Sequence, residues 1–394
     1  MRIAYVCADP GIPVFGSKGA SIHVQGVVRA MMRAGHEVVL LAARAGDVVP
    51  AWAAGLRFES LPRLQGELPD HAAVAAHNHA IADALQDVGP VDVVYERLSL
   101  WSFGALEHAR RERIPACLEV NAPLVDEAVT HRGLRERATA DRAVARALAA
   151  ASQVIAVSDE VAAWARGNPC TTGPVVVEPN GVDPARFTTR RPEPGAPFTL
   201  GFIGTLKPWH GLDQLADTFA LVKRRVPDAR LLIVGDGPGR ESLTARLVRR
   251  DVCDAAVFTG AVPPEAVGEQ LARMHVALAP YPARGPFYFS PLKVVECQAA
   301  GVPVVASEVG QLRSIIRHRE TGWLVAPGSA RAMALACLAI HAAPAQAATM
   351  ANVARAEVLA ERSWDAVVER ILARARAGST SPAPTRGLQQ MVAI

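Results

Sequence analysis

Residues 190–204 read RRPEPGAPFTLGFIG, a proline- and glycine-rich link that runs straight into a short apolar stretch. Pro192, Pro194 and Pro197 keep the link out of a helix or an interior strand. TLGFIG (199–204), which lacks polar alternation, reads as a strand buried on both faces. The same kind of stretch recurs downstream at ARLLIVGDG (229–237), AAVFTG (255–260), HVALAPY (275–281) and VPVVAS (302–307). Upstream it occurs at IAYVCA (3–8), EVVLLAA (37–43), VDVVYE (91–96), ACLEV (116–120) and VIAVS (154–158). Amphipathic segments separate the strands, for example SIHVQGVVRAMMRAG (21–35), which closes on Gly35 as a helix C-terminus should. Strands alternating with helices imply a parallel sheet covered on both faces, and the restart after residue 197 implies two of them. The expected fold is α/β: a Rossmann-like domain over residues 1–188, a second over 197–360, and WDAVVERILARARAG (364–378) packing back on the first. Residues 379–394 read as a flexible tail.

At 394 residues, half of them hydrophobic, the chain is long enough for two cores. The formal charge of +4 is small and the basic residues are scattered, which argues against a nucleic-acid partner. Residues 201–394 carry 22 basic and 16 acidic side chains against 20 and 22 in residues 1–200, so the second half is the better anion binder. The six cysteines stand alone, with no CxxC pair, and suit a reducing compartment. No window reaches the roughly 20 apolar residues of a spanning helix. A cytoplasmic protein is expected, with peripheral membrane contact left open and the oligomeric state unread.

Ligands of open parallel sheets sit beyond the carboxyl ends of the strands, so two facing sheets place a site in the cleft between them. Three loops supply candidates there. DPGIPVFGSKGASIHV (9–24) sets Gly16, Ser17, Lys18 and Gly19 just ahead of the first helix, where free amides favour a phosphate, although such a glycine loop serves a tight turn equally well. It is not GxGxxG, which argues against a nicotinamide or flavin enzyme. His23 follows one turn into the helix. In GFIGTLKPWHGLDQL (201–215) a strand ends at Gly204, and Lys207, Trp209 and His210 follow before a helix near Leu212. GPFYFSPLKVVECQAAGVPVVASEVG (285–310) is the richest: with Ser290 as cap and Pro291 opening a helix, Lys293 and Glu296 fall on one face. Lys293 then suits a phosphate, and Glu296 suits the two hydroxyls of a ribose.

The ordered set GSKGASIHV (16–24), EPNGVD (178–183), GTLKPWHG (204–211), VGDGP (234–238) and SPLKVVECQAAGVPVV (290–305) resembles the retaining GT-B glycosyltransferases of family 4, over about residues 1–375. The resemblance implies two facing Rossmann-like domains, a UDP- or GDP-linked sugar donor, an acceptor hydroxyl on a sugar, lipid-linked sugar or small metabolite, and no metal or other cofactor. The chain has no DxD to hold a divalent ion, in keeping with this. By the same resemblance Glu296 is the ribose-binding glutamate of the family's E-x7-E motif, whereas the first glutamate of that motif falls on Tyr288. Ser290, Pro291 and Leu292 are then left to contact the sugar. The family's Arg and Lys after the first C-terminal strand fall on Thr205 and His210. Lys207 and Lys293 become the candidates for balancing the diphosphate, with His210 assisting, while Gly204 borders the donor, and Gly16 and Gly19 approach the phosphates from the other domain.

On the acceptor side, ERLSLWSFG (96–104) and EVNAPLVDE (119–127) follow strand ends, so Arg97, Asn121 and Glu127, together with His23, are expected at the cleft or holding its loops. Arg132, Arg135, Arg137, Arg142 and Arg146 form a basic run on an expected helix; the interleaved Glu136 and Asp141 favour a solvated face over a lipid contact. Two other readings use the same double fold. A nucleotide-sugar 2-epimerase would act without an acceptor. A non-catalytic sugar-nucleotide sensor would account for Tyr288, Thr205 and His210 at the altered positions, while the presence of Lys207, Lys293 and Glu296 favours the enzyme.

Overall fold

Among the described residues, seven short strands of the first half form one sheet and six of the second half form another, with parallel pairing between neighbouring strands. The computed structural model describes every residue except 65–68, 188–190, 284–286, 289 and 380–394, so the tail expected over 379–394 lies outside the described residues but for Ser379. The first sheet contains β1 (Arg2–Cys7), β2 (Glu37–Ala42), β3 (Arg57–Ser60), β4 (Val93–Arg97), β5 (Ala116–Val120), β6 (Gln153–Ala156) and β7 (Val175–Val177). Its order is β3-β2-β1-β4-β5-β6-β7. The second contains β8 (Thr199–Ile203), β9 (Arg230–Val234), β10 (Ala256–Gly260), β11 (Val276–Ala279), β12 (Val304–Ser307) and β13 (Trp323–Val325), in the order β10-β9-β8-β11-β12-β13.

Both faces of each sheet carry a core, which is why the strands read as unbroken apolar runs. In β1, Ala4 and Val6 enter one core while Ile3, Tyr5 and Cys7 enter the other. Tyr5 stacks on its register partner Tyr95 of β4, with ring centroids 5.2 Å apart. Three strands escaped the sequence reading: β3 (RFES), β7 (VVV) and β13 (WLV). They lie at sheet edges and are only three or four residues long. VVV and WLV are apolar but shorter than the runs of roughly four to eight that read as strands, and RFES has a single apolar residue, Phe58.

The strand order reverses between β1 and β4 in the first sheet and between β8 and β11 in the second, and such switch points open crevices at the strands' carboxyl ends. The chain crosses between the lobes twice. The first crossing, at 178–183, leaves β7. The second follows the helix Pro344–Glu361 and leads into the helix Trp364–Ser379, which packs against the first helix, Gly19–Arg33. Val182 and Ser363 join the crossings in an isolated parallel bridge. Buried Glu178 then holds the crossover helix through Arg370 at 2.8 Å and through Arg374.

Trp364 is 4% exposed and lies flat against Gly26 of the first helix: a Cβ there would sit 2.2 Å from the indole Nε1. Helix propensity alone would favour alanine at this position by about 1 kcal/mol. The clash dominates, so Gly26→Ala is expected to destabilise the protein by about 1–3 kcal/mol, read as a lower urea midpoint at unchanged slope. A neutral or stabilising Gly26→Ala would show that this contact is loose.

Candidate active site

The second lobe's site grows from the loop after β8. Gly204 (φ 125°) turns the chain out of the strand, and a side chain there would come within 3.3 Å of the Lys293 ammonium. Lys293 stands at the second position of the helix Leu292–Ala299. Its Nζ is buried, lies 4.6 Å from the Phe202 ring centroid and 5.3 Å from that of Tyr281, and has no hydrogen-bond partner among the described residues. Burial pushes its pKa down to about 7, against the smaller opposing effects of Cys297 and Glu296. A buried cation held between two aromatic faces, on the first turn of a helix and without an ion pair among the described residues, suits an anion that arrives from outside.

The neighbouring side chains correct several expectations. His210 is not a second cation. Its Nδ1 donates to the Thr205 carbonyl at 2.6 Å, and burial, then the Lys293 charge, lower its pKa to about 4. Lys207 remains available as a charge, with its ammonium 5.5 Å from the Trp209 ring centroid. Glu296 pairs with Arg186 and not with Lys293: one carboxylate oxygen lies 3.3 Å from Arg186, which follows the first crossing and also donates to the Pro264 carbonyl. Burial raises the Glu296 pKa, opposed by Arg186 and Lys293. Nor is Ser290 the helix cap. Pro291 occupies that place without a side-chain bond, ahead of Leu292, and the Ser290 hydroxyl accepts instead from the Asn180 amide at 3.3 Å, across to the first crossing.

On the first lobe, a cavity of about 450 Å³ opens at the carboxyl ends of β1, β4 and β5. Arg97, Asn121 and Glu127, expected there from the sequence, all line it, together with Asp9, Lys18 and Arg132. His23 does not. It lies behind the wall, its Nε2 2.8 Å from the carboxylate of Glu119, which is 2% exposed. The same carboxylate accepts from Tyr95 Oη at 2.5 Å, from Arg97 at 2.9 Å and from Asn121. Burial by itself would raise the Glu119 pKa, but the His23 and Arg97 charges and the hydrogen bonds outweigh it and hold the carboxyl well below its usual range. In the sequence Glu119 stands in the strand ACLEV and at the head of EVNAPLVDE without a role read for it; a carboxylate inside an apolar strand is the signal that marks it.

Gly16 also differs from expectation. Its amide is already bonded to the Pro13 carbonyl at 2.8 Å, so it tightens the loop and is not free for a phosphate, whereas Gly19 opens the first helix. The basic run is broken, because Gly133 at φ 66° ends the helix Leu124–Arg132: Arg132 closes that helix, Arg135 lies in the link, and Arg137, Arg142 and Arg146 lie on the helix Arg137–Ala150. Arg132, Arg137 and Arg146 each pair with an acid, at 2.6, 2.7 and 2.7 Å, and that favours the solvated face. Among the described residues no single helix is long and apolar enough to cross a membrane.

Tyr288 ties the lobes together. Its hydroxyl donates to Glu127 at 3.3 Å, its carbonyl accepts from the Ser158 hydroxyl at 2.7 Å, and its pKa is pushed up to about 12 by burial and then by Glu127. Gln311 adds a bond to the Val157 carbonyl at 2.7 Å. These bonds join the segments on either side of the Lys293 helix to the first lobe.

Two parallel-sheet lobes with their switch points turned toward each other, bridged by a returning C-terminal helix, define the GT-B architecture. Residues 17–186 match the family described as Glycosyltransferase Family 4, and residues 197–342 match that described as Glycosyl transferases group 1. The chain belongs to these group 1, family 4 glycosyltransferases. Among curated relatives it is 30% identical over 217 residues to the glycogen synthase of Mycobacterium tuberculosis, covering 53% of this chain and 51% of that protein. It is 31% identical over 208 residues to the GDP-mannose-dependent alpha-(1-6)-phosphatidylinositol monomannoside mannosyltransferase of the same organism, covering 49% and 53%. The chain therefore matches about half the length of these relatives. In fold it is similar to sucrose-phosphate synthase from Thermosynechococcus elongatus, with a TM-score of 0.70 at 21% identity over 96% and 98% of the two chains. It is also similar to HepE of Anabaena, solved in complex with UDP and glucose, with a TM-score of 0.71 at 18% identity over 96% and 99%.

Proposed function

We propose that the protein transfers a sugar from a UDP- or GDP-linked donor to an acceptor hydroxyl with retention and without a metal, in the biosynthesis of a polysaccharide, glycolipid or glycosylated metabolite. The observation that carries this reading is the buried Lys293 ammonium without a partner among the described residues. An uncompensated buried cation is costly, and a diphosphate would compensate it. In this reading Lys293 and Lys207 meet the diphosphate, and the amides at the start of the Leu292–Ala299 helix add their partial charge. Glu296 accepts the ribose hydroxyls beside Arg186. Residues 197–360 hold the donor, while residues 1–188, with the helix from Trp364, hold the acceptor against Arg97, Asn121 and Glu127.

The bond from the sugar's anomeric carbon to the diphosphate oxygen breaks, and the acceptor oxygen bonds to that carbon on the same face. The acceptor proton passes to the departing phosphate. No nucleophile of the chain is needed; its residues align the substrates and offset charge growing on the leaving group.

The Lys293 pKa of about 7 gives this reading a pH test. Above pH 7 the free pocket loses a proton that the diphosphate complex must regain, so binding takes up a proton and the affinity falls with rising pH. The limiting slope is about tenfold per pH unit. Calorimetry with UDP-glucose and GDP-mannose, whose diphosphates do not titrate in this range, is expected to show the fall between about pH 7 and 9. A flat profile for a donor that binds would remove Lys293 from the phosphate site, and the absence of binding by any nucleotide sugar would remove the proposed activity.

A further inference from the structure

The join between the two crossings leads, through side chains in contact, to the wall of the acceptor cavity. At the join the Val182 amide donates to the Arg362 carbonyl at 2.9 Å, and the Trp364 amide donates to the Val182 carbonyl at 3.0 Å. The Trp364 indole leaves this join and enters the first lobe between two glycines. A Cβ at Gly26 would lie 2.2 Å from its ring and one at Gly181 2.7 Å. It meets His23 edge to face, at a centroid distance of 4.7 Å and an angle of 73°. His23 in turn lies 2.8 Å from Glu119, whose carboxylate also holds Arg97 and Asn121, two residues of the cavity wall.

We infer that Trp364 is a positioning residue that couples the hinge between the lobes to the geometry of the acceptor cavity. The indole fills the gap left by the two glycines, so a shift of Arg362–Trp364 carries the ring with it. The ring bears on His23, and His23 shares one carboxylate with three other donors, so its displacement redistributes the bonds that orient Arg97 and Asn121. A nucleotide that draws the lobes together at the second lobe would in this way set the acceptor wall of the first. The inference rests on the reading that nucleotide binds beside Lys293 and Glu296.

Hydrogen exchange with UDP and GDP as probes tests it on the whole chain. In the parent protein, saturating nucleotide is expected to slow exchange around residues 204–211 and 290–299 and also, by roughly threefold or more, over residues 19–27 and 116–121 of the other lobe. In Trp364→Leu the protection of the second lobe should persist while that of 19–27 and 116–121 disappears, and Trp364→Phe, which keeps a ring against His23, should restore it. His23→Gln keeps a donor for Glu119 but loses the ring contact, and it should behave as Trp364→Leu does, which provides the test if the leucine variant does not fold. Nucleotide protection confined to the second lobe of the parent, or first-lobe protection unchanged in the variants, overturns the coupling and leaves the donor site standing. No protection in either lobe overturns the donor site itself, and the coupling with it.

Discussion

Replacing Lys293 by alanine is expected to lower turnover by about 10²–10³-fold, the range seen when one group that stabilises developing negative charge is removed. Folding should survive the change. The ammonium is buried without a partner among the described residues, so the folded state gains nothing from an ion pair there. Its contacts with Phe202 and Tyr281 recover only part of the desolvation cost. The sign follows from the pKa: burial lowers it to about 7 in the fold, while the unfolded chain titrates near 10.4. The penalty is fully present below pH 7 and is relieved as pH rises toward the unfolded value. Lys293→Met, which fills the volume without the charge, should therefore raise the thermal midpoint at pH 7 by several degrees and lose that advantage toward pH 10. Opposite movement of stability and activity separates this side chain from a structural lysine. Near-parental turnover in Lys293→Ala, measured as nucleotide release from the matching nucleotide sugar, would take Lys293 out of the mechanism.

The second large effect is expected at Glu119. Truncation to alanine leaves Arg97, which is 9% exposed, facing a void where its carboxylate had been, together with His23 and the Tyr95 hydroxyl. Removing one partner of a buried charged pair costs about 3–5 kcal/mol, and Glu119→Ala should unfold in urea at a correspondingly lower midpoint. Glu119→Gln retains acceptor capacity and volume and should cost less. Because the folded carboxyl titrates below its usual range, its stabilisation is complete above the unfolded pKa of about 4.3 and is lost as pH falls below it. The difference between parent and Glu119→Gln should accordingly shrink in acid. A loss below about 1 kcal/mol for the alanine variant would mean that the carboxylate does not organise this wall.

Arg97, Asn121 and Glu127 show how far the first-lobe cavity was legible. Arg97 ends β4, Asn121 and Glu127 follow the end of β5, and a parallel sheet delivers such residues to one rim whatever the helices do. Lys293 and Glu296 were legible for a related reason, since both lie within two turns of one helix that follows a strand end. His23 was misplaced because helical position gives the direction of a side chain but not what stands in front of it. Here Glu119, 96 residues away, takes its imidazole.

The chain order of apolar runs, helices and the proline-rich link by itself determined two parallel-sheet lobes, because a strand buried on both faces and a short crossover leave few other topologies. Tertiary structure alone decided which charges are paired. Arg186 lies 110 residues from Glu296 and Tyr288 lies 161 from Glu127, and the second of these pairs forms only when the lobes meet. The protonation of Lys293 and His210 was decided in the same way, since it follows from burial and neighbouring charge, and neither is a property of residue type or spacing.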